Sequence, residues 1–230
     1  VVLDEIHFLE DPYRGAVWEE IILTLPKNVL IVALSATVSN ADELKDWITS
    51  VRGNIEKITR ETRPVPLKGH FFAVEKSRNH QLTRIEILKN GKPNSRGQIF
   101  SNARRGRGKQ NFRRWTTPRR SEIVAELKKL EMLPAIYFIF SRKGCDEARD
   151  SMVRYVGSLN NSEEGKKARK YAEERFALLT EEEKRILRVD LLLEGLEKGF
   201  ASHHAGLLPL FKQTIEELFS LGLLKLVFAT

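Results

Sequence analysis

The sequence predicts an α/β fold built on parallel sheets, and three observations carry that prediction. Short apolar runs stop abruptly at polar tips: residues 1–3 at Asp4, 29–34 at Ser35, 135–140 at Ser141 and 224–228 just before Thr230. Helical periodicity fills the intervals between runs, and strands separated by helices pair in parallel through crossover connections. An irregular middle, beginning near Val65, divides these repeats into two sheets.

Residues 1–3 have the composition of a buried strand, and they break into the adjacent carboxylates Asp4 and Glu5. Asp11-Pro12 signals a helix start, and Trp18, Ile21, Ile22 and Leu25 then recur at helical spacing up to Pro26. Residues 29–34 (VLIVAL) are continuously apolar, as expected of a strand covered on both faces, and end in Ser35-Ala36-Thr37. Asn40 and Glu43 predict a capping pair for a helix through Trp47 and Ile48. A short strand in IEKIT follows, and then Pro64 and Pro66 break regular structure.

Residues 67–74 alternate loosely, 82–88 suit another strand and Asn90-Gly91 is a turn, together an extended connector. Residues 94–120 are rich in Gly, Asn, Ser and Arg and are expected to be disordered. Order resumes at Ser121, where Ile123, Val124, Leu127 and Leu130 mark an amphipathic helix ending before Pro134. Residues 135–140 (AIYFIF) are a third candidate for a buried strand, with a helix after them to about Val156. Residues 163–193 read as helical with a charged outer face and a capping box from Thr180 to Glu183. Residues 199–203 form a short strand, and His204-Ala205-Gly206 a turn. Pro209 opens the last helix, Gly222 ends it, and residues 224–228 are the final strand. The expected division is therefore 1–64, a connector over 65–120, and 121–230.

Hydrophobic residues make up 41% of the 230, enough for a packed core. No apolar run reaches the roughly 18 residues of a membrane span, and no signal peptide is visible. A single cysteine, Cys145, excludes an internal disulfide and fits a reducing, cytoplasmic setting. No Cys or His cluster has zinc spacing. Val1 is not a methionine and LKLVFAT ends without a tail, so the chain reads as the middle of a longer protein.

The net charge of +8 comes from one segment. Residues 96–120 hold nine basic residues and no acid, and without them 30 basic residues face 31 acidic ones. Arg104, Arg105, Arg107, Arg113 and Arg114, with Phe112 and Trp115, have the guanidinium and aromatic planes of RNA-binding segments. A solubilising loop with loose polyanion attraction is the alternative for that segment.

The acidic tip is the most informative chemistry. Burying charge is costly unless something binds it. A divalent ion with a phosphate behind it resolves the conflict at Asp4 and Glu5, the first carboxylate holding the ion and the second standing where a water attacks. The alternative is a solvated acidic turn. Ser35, Ser141 and Thr230 follow other strands' carboxyl ends, the edge where open α/β sheets bind ligands.

DEIHFLEDPYRGAVWEEIILTLP, LSATVSNADELKDWI, TRPVPL, AIYFIFSRKGCDEA and HHAGLLPLFKQTIEELFSLGLLKLVFAT together resemble superfamily-two DExH-box helicases of the superkiller-like branch, which includes exosome-associated RNA helicases. The resemblance covers nearly everything except about residues 91–120. It implies two RecA-like parallel-sheet domains, the first one partial, facing each other across a cleft. It further implies an ATP-dependent RNA helicase that couples hydrolysis at DEIH to translocation along and unwinding of a strand. ATP and Mg²⁺ would be its cofactors, and RNA its partner, with an RNA-processing complex as a further expectation and no membrane. Asp4 would hold the metal, Glu5 would orient or deprotonate the water, and His7 would link the site to Ser35 and Thr37, the coupling residues. Ser141, Arg142, His204, Gly206 and Thr230 would contact nucleic acid, the Gly206 amide and Thr230 hydroxyl suiting phosphate oxygens.

Two readings at these positions stay open. His203 and His204 point to opposite faces if extended, so one of them belongs to the core. Ser141 is either a phosphate contact or the cap of the next helix. The chain has no G-x-x-x-x-G-K-[ST] loop, and the family's arginine-bearing motif is missing. The 230 residues alone are therefore expected to be inactive. A DNA helicase and a non-catalytic nucleic-acid-binding scaffold are the competing functions.

Overall fold

The computed structural model describes residues 1–13, 15–36, 40–60, 62, 64–75, 80–97 and 115–230. The chain is mixed α/β with parallel sheets and divides into two compact units, Val1–Leu67 and Lys68–Thr230.

In the first unit β1 (Val2–Leu3) and β2 (Val32–Ala33) pair in parallel, with Leu3 opposite Ala33. A 3-10 helix, Ile6–Glu10, follows the acidic tip, and α1 (Gly15–Thr24) and α2 (Ala41–Arg52) complete the unit. Leu3, Ile6, Ile22 and Ile48 form its core, with Trp18 and Trp47 packed against it. The Gly15 position requires a glycine, because a Cβ there would lie 2.2 Å from the Leu9 carbonyl oxygen. Arg52 donates to the carbonyls of Leu25, Pro26 and Val29, so the end of α2 satisfies acceptors left open beyond α1.

Three expectations for this unit are corrected. Neither strand is covered on both faces: Leu3 is buried, but Val2 and its partner Val32 are exposed. Alternation along the strand sends those side chains away from the shared core of α1 and α2. Asn40 precedes α2 without a side-chain capping bond, and its Nδ2 donates to Glu10 Oε1. Residues 54–60 form no strand.

The second unit opens with an antiparallel sheet in the order β4-β3-β7, made by β3 (His70–Glu75), β4 (Gln81–Glu86) and β7 (Trp115–Thr116). Trp115 pairs with Glu75 and Thr116 with Val74, so the far end of the stretch expected to be disordered is a sheet strand. Residues 98–114, with most of its arginines, lie outside the described residues. A hairpin of β5 (Leu88–Lys89) and β6 (Lys92–Pro93) turns at Asn90 and Gly91, both at positive φ as such tight turns require.

The parallel sheet runs β8-β10-β9, from β8 (Ala135–Phe138), β9 (Phe200–His203) and β10 (Leu226–Ala229). Helices α3 (Arg120–Lys129) and α4 (Arg142–Tyr155) supply Val124, Cys145, Ala148 and Met152 to a core with Phe200, Leu226 and Phe228. The span expected to be helical is made of three helices, one of them starting at the Thr180 cap: α5 (Ser162–Phe176), α6 (Glu181–Ile186) and α7 (Val189–Lys198). The Thr180 capping box is present, with the Glu183 N–H donating to Thr180 Oγ1 at 3.2 Å. With α8 (Pro209–Ser220), which carries Pro209 in its first turn, α5 and α7 build a second core around Phe176, Leu196, Ile215 and Val227. Central β10 is buried throughout. β8 is an edge, and Ile136 and Phe138 on it are exposed, so the third strand too is covered on one side only.

Helix α5 crosses α7 at Gly165, where a Cβ would come within 2.8 Å of the Glu197 carbonyl oxygen. Gly165→Ala is expected to lower stability by about 1–3 kcal/mol through overpacking, read as a lower urea midpoint. An unchanged midpoint would show that the crossing yields freely.

Candidate nucleotide and nucleic-acid sites

Parallel pairing puts the Asp4 and Ser35 tips side by side in the first unit. Leu34 N–H donates to the Leu3 carbonyl at 2.8 Å, and Ile6 N–H donates to the Leu34 carbonyl at 3.0 Å. The chain then turns sharply. Glu5 sits at φ 54°, a left-handed conformation that costs a residue with a Cβ, and its N–H donates to Asp4 Oδ1 at 2.9 Å. That bond fixes Asp4 and leaves Oδ2 free at an exposed strand end. One free carboxylate oxygen suits a hydrated Mg²⁺, which takes one or two carboxylates and otherwise water and phosphate oxygens. Among the described residues no group of three or more His, Cys, Asp or Glu could hold a metal by itself, so phosphate would have to share the coordination.

The other members of this set fare differently. His7 Nδ1 lies 3.1 Å from Glu5 Oε2, within ion-pair range if the ring is protonated. The approach is out of line for a hydrogen bond, and the buried nitrogen has no such partner. Ser35 is exposed at its strand tip. Thr37 lies outside the described residues. Trp47 and Ile6 wall a cavity of about 300 Å³ beside His7, which suits Trp47 to packing rather than to stacking on a base.

In the second unit the tips of β8, β9 and β10 share one edge. Ile139 N–H donates to the Ala229 carbonyl at 2.8 Å and Thr230 N–H to the His203 carbonyl at 3.3 Å. Ser141 caps α4, its Oγ accepting the Gly144 N–H at 3.1 Å, and Arg142 and Thr230 are exposed. His204 is the core histidine, 6% exposed, with Nε2 3.1 Å from Asp146 Oδ2. The Gly206 N–H donates to His204 Nδ1 at 3.2 Å. His203 is half-buried, with Nε2 2.7 Å from Glu216 Oε1. Burial pushes the Cys145 thiol up, and its Sγ faces the Ile139 carbonyl at 3.5 Å, consistent with a packing role.

Sequence reading missed the polar cluster under the turn. Ser202 Oγ–H donates to Asp146 Oδ1 at 2.6 Å, and Arg149 Nη1 donates to Ser202 Oγ at 3.0 Å. Its only sequence signal is the Asp146–Arg149 spacing of three on a helix, the second acid beside it, Asp150, also pairing with Arg149.

No family model matches the chain. Curated relatives align along its whole length: "Probable helicase HelY" of Mycobacterium tuberculosis at 40% identity, "DExH-box ATP-dependent RNA helicase DExH15 chloroplastic" of Arabidopsis thaliana at 36%, and human "Superkiller complex protein 2" at 31%. The chain spans 27%, 22% and 20% of those proteins, respectively. A strand-tip DEIH, a neighbouring strand tip at Ser35 and end-to-end likeness to named helicases place the chain among the superfamily-two DExH-box helicases. Within them it belongs to the superkiller-like branch.

Proposed function

We propose that the intact protein is an ATP-dependent RNA helicase with RecA-like domains, and that this chain carries part of its ATP site and part of its strand-contacting surface. The observation that carries the reading is the exposed Asp4–Glu5 pair at a parallel strand tip, with one Asp4 oxygen committed to the Glu5 amide and the other free. Asp4 would hold the nucleotide's Mg²⁺, and Glu5 would orient and deprotonate the attacking water. The bound ion would supply charge stabilisation for the transferring phosphoryl group. Ser35 and Thr37 would couple hydrolysis to movement. Ser141, Arg142 and Thr230 would meet the phosphate backbone, with His204 and Gly206 shaping the turn beside them. RNA is favoured over DNA because the names of two of these relatives point to RNA helicases or the superkiller complex.

The test is ATP turnover by the intact protein titrated with matched RNA and DNA single strands. RNA is expected to stimulate hydrolysis more strongly, while the 230 residues alone turn over no ATP. Stimulation by DNA alone would move the assignment to a DNA helicase, and absence of any turnover would leave a binding scaffold.

A further inference from the structure

We propose that Asp146 is a positioning residue for nucleic-acid binding, acting through His204 on the 204–207 turn. This rests on the strand-contacting role given above to that edge of the sheet. A backbone amide can only donate, so the Gly206 N–H makes His204 Nδ1 an acceptor. The ring proton then sits on Nε2 and is donated to Asp146 Oδ2 at 3.1 Å. One carboxylate oxygen thereby selects the tautomer, and the tautomer holds the turn.

The turn has little freedom to do otherwise. A Cβ at Gly206 would lie 3.2 Å from His204 Nδ1 and 3.5 Å from Arg142 Cδ. The Gly206 backbone is thus packed between the imidazole and the stem of Arg142, one of the exposed residues at the strand tips. The other oxygen of Asp146, Oδ1, accepts from Ser202 at 2.6 Å and lies 3.4 Å from Arg149 Nη1, so the Oδ2 bond to His204 does not depend on Ser202 alone. The placement of Arg142 and of the turn's surface follows from a carboxylate that contacts neither water-exposed partner directly.

Asp146→Asn separates this role from simple packing. Arg149 can only donate, so the amide oxygen stays on the Oδ1 side and the NH₂ faces His204 Nε2. The ring must move its proton to Nδ1, where it confronts the Gly206 N–H donor to donor. Ring ¹⁵N spectra of this chain, labelled at its five histidines, are expected to show His204 changing tautomer. In the intact protein the RNA concentration giving half-maximal ATPase should rise about tenfold, the worth of one charge-assisted hydrogen bond. Turnover at saturating RNA and without RNA should hold at wild-type values. Ser202→Ala is the control: it removes another bond to the same carboxylate but leaves the tautomer, so the RNA requirement should not move although stability falls. Unchanged half-saturation in Asp146→Asn, or an equal rise in Ser202→Ala, overturns the proposal while leaving the helicase reading intact. A wild-type protein insensitive to RNA overturns both.

Discussion

Glu5→Gln in the intact protein is expected to lower ATP turnover by about 10²-fold or more while nucleotide binding survives, since a positioned general base contributes on that order. Glutamine keeps the shape of the side chain but accepts no proton from an attacking water. Binding should persist because Asp4 is untouched: its Oδ1 is held by the backbone N–H at position 5, which the substitution retains. The carboxylate is well placed for the task. It leaves the strand through a left-handed turn, is half-exposed, and stands 3.1 Å from His7 Nδ1. A non-glycine residue held at φ 54° directly after a strand-tip aspartate is the kind of local cost that persists at working sites. Phosphate release in steady state, beside equilibrium binding of a nucleotide, separates the two effects. Near-normal turnover would remove Glu5 from the chemistry.

Strand tips and several helix starts were legible because each has a local cause. Pro209 opens α8, Thr180 and Glu183 cap α6, and the apolar runs end within two residues of the strands' ends. What could not be read locally was which face each strand covers. VLIVAL and AIYFIF are apolar on both sides, yet Val32 and Phe138 face solvent, because coverage depends on where helices from elsewhere in the chain land. The Arg-rich stretch misled in a similar way. Trp115 and Thr116 sit beside a run of disorder-favouring composition, but pairing with Glu75 and Val74 overrides local preference. At the candidate sites, residue type was sufficient to find Asp4, Glu5 and the HHAG turn. It was not sufficient to assign the two histidines. That choice depends on Asp146, 58 positions away from His204 in sequence and one hydrogen bond away in space.

Phe228→Ala is expected to destabilise the unit Lys68–Thr230 by about 3–5 kcal/mol, the range for removing a fully buried aromatic ring from a core. Phe228 has no exposed surface, and its ring centroid lies 5.7 Å from that of Tyr137. It shares its core with Val124, Cys145, Ala148 and Met152. The gap would close poorly because β10 is the central strand, hydrogen-bonded to β8 on one side and β9 on the other, and cannot shift inward without breaking both ladders. Phe140→Ala makes the comparison: that ring is 98% exposed, and its loss should change stability by no more than about 0.5 kcal/mol. Urea unfolding followed by circular dichroism reads both, and a cost below about 1 kcal/mol for Phe228→Ala would mean that the core collapses around the missing ring. The consequence reaches the candidate surface. The tips of β8, β9 and β10 are joined by the Ile139–Ala229 and Thr230–His203 bonds, so loosening the central strand should disturb the edge from which Ser141, Arg142 and Thr230 project. Packing under Phe228 is therefore part of what holds that edge in place.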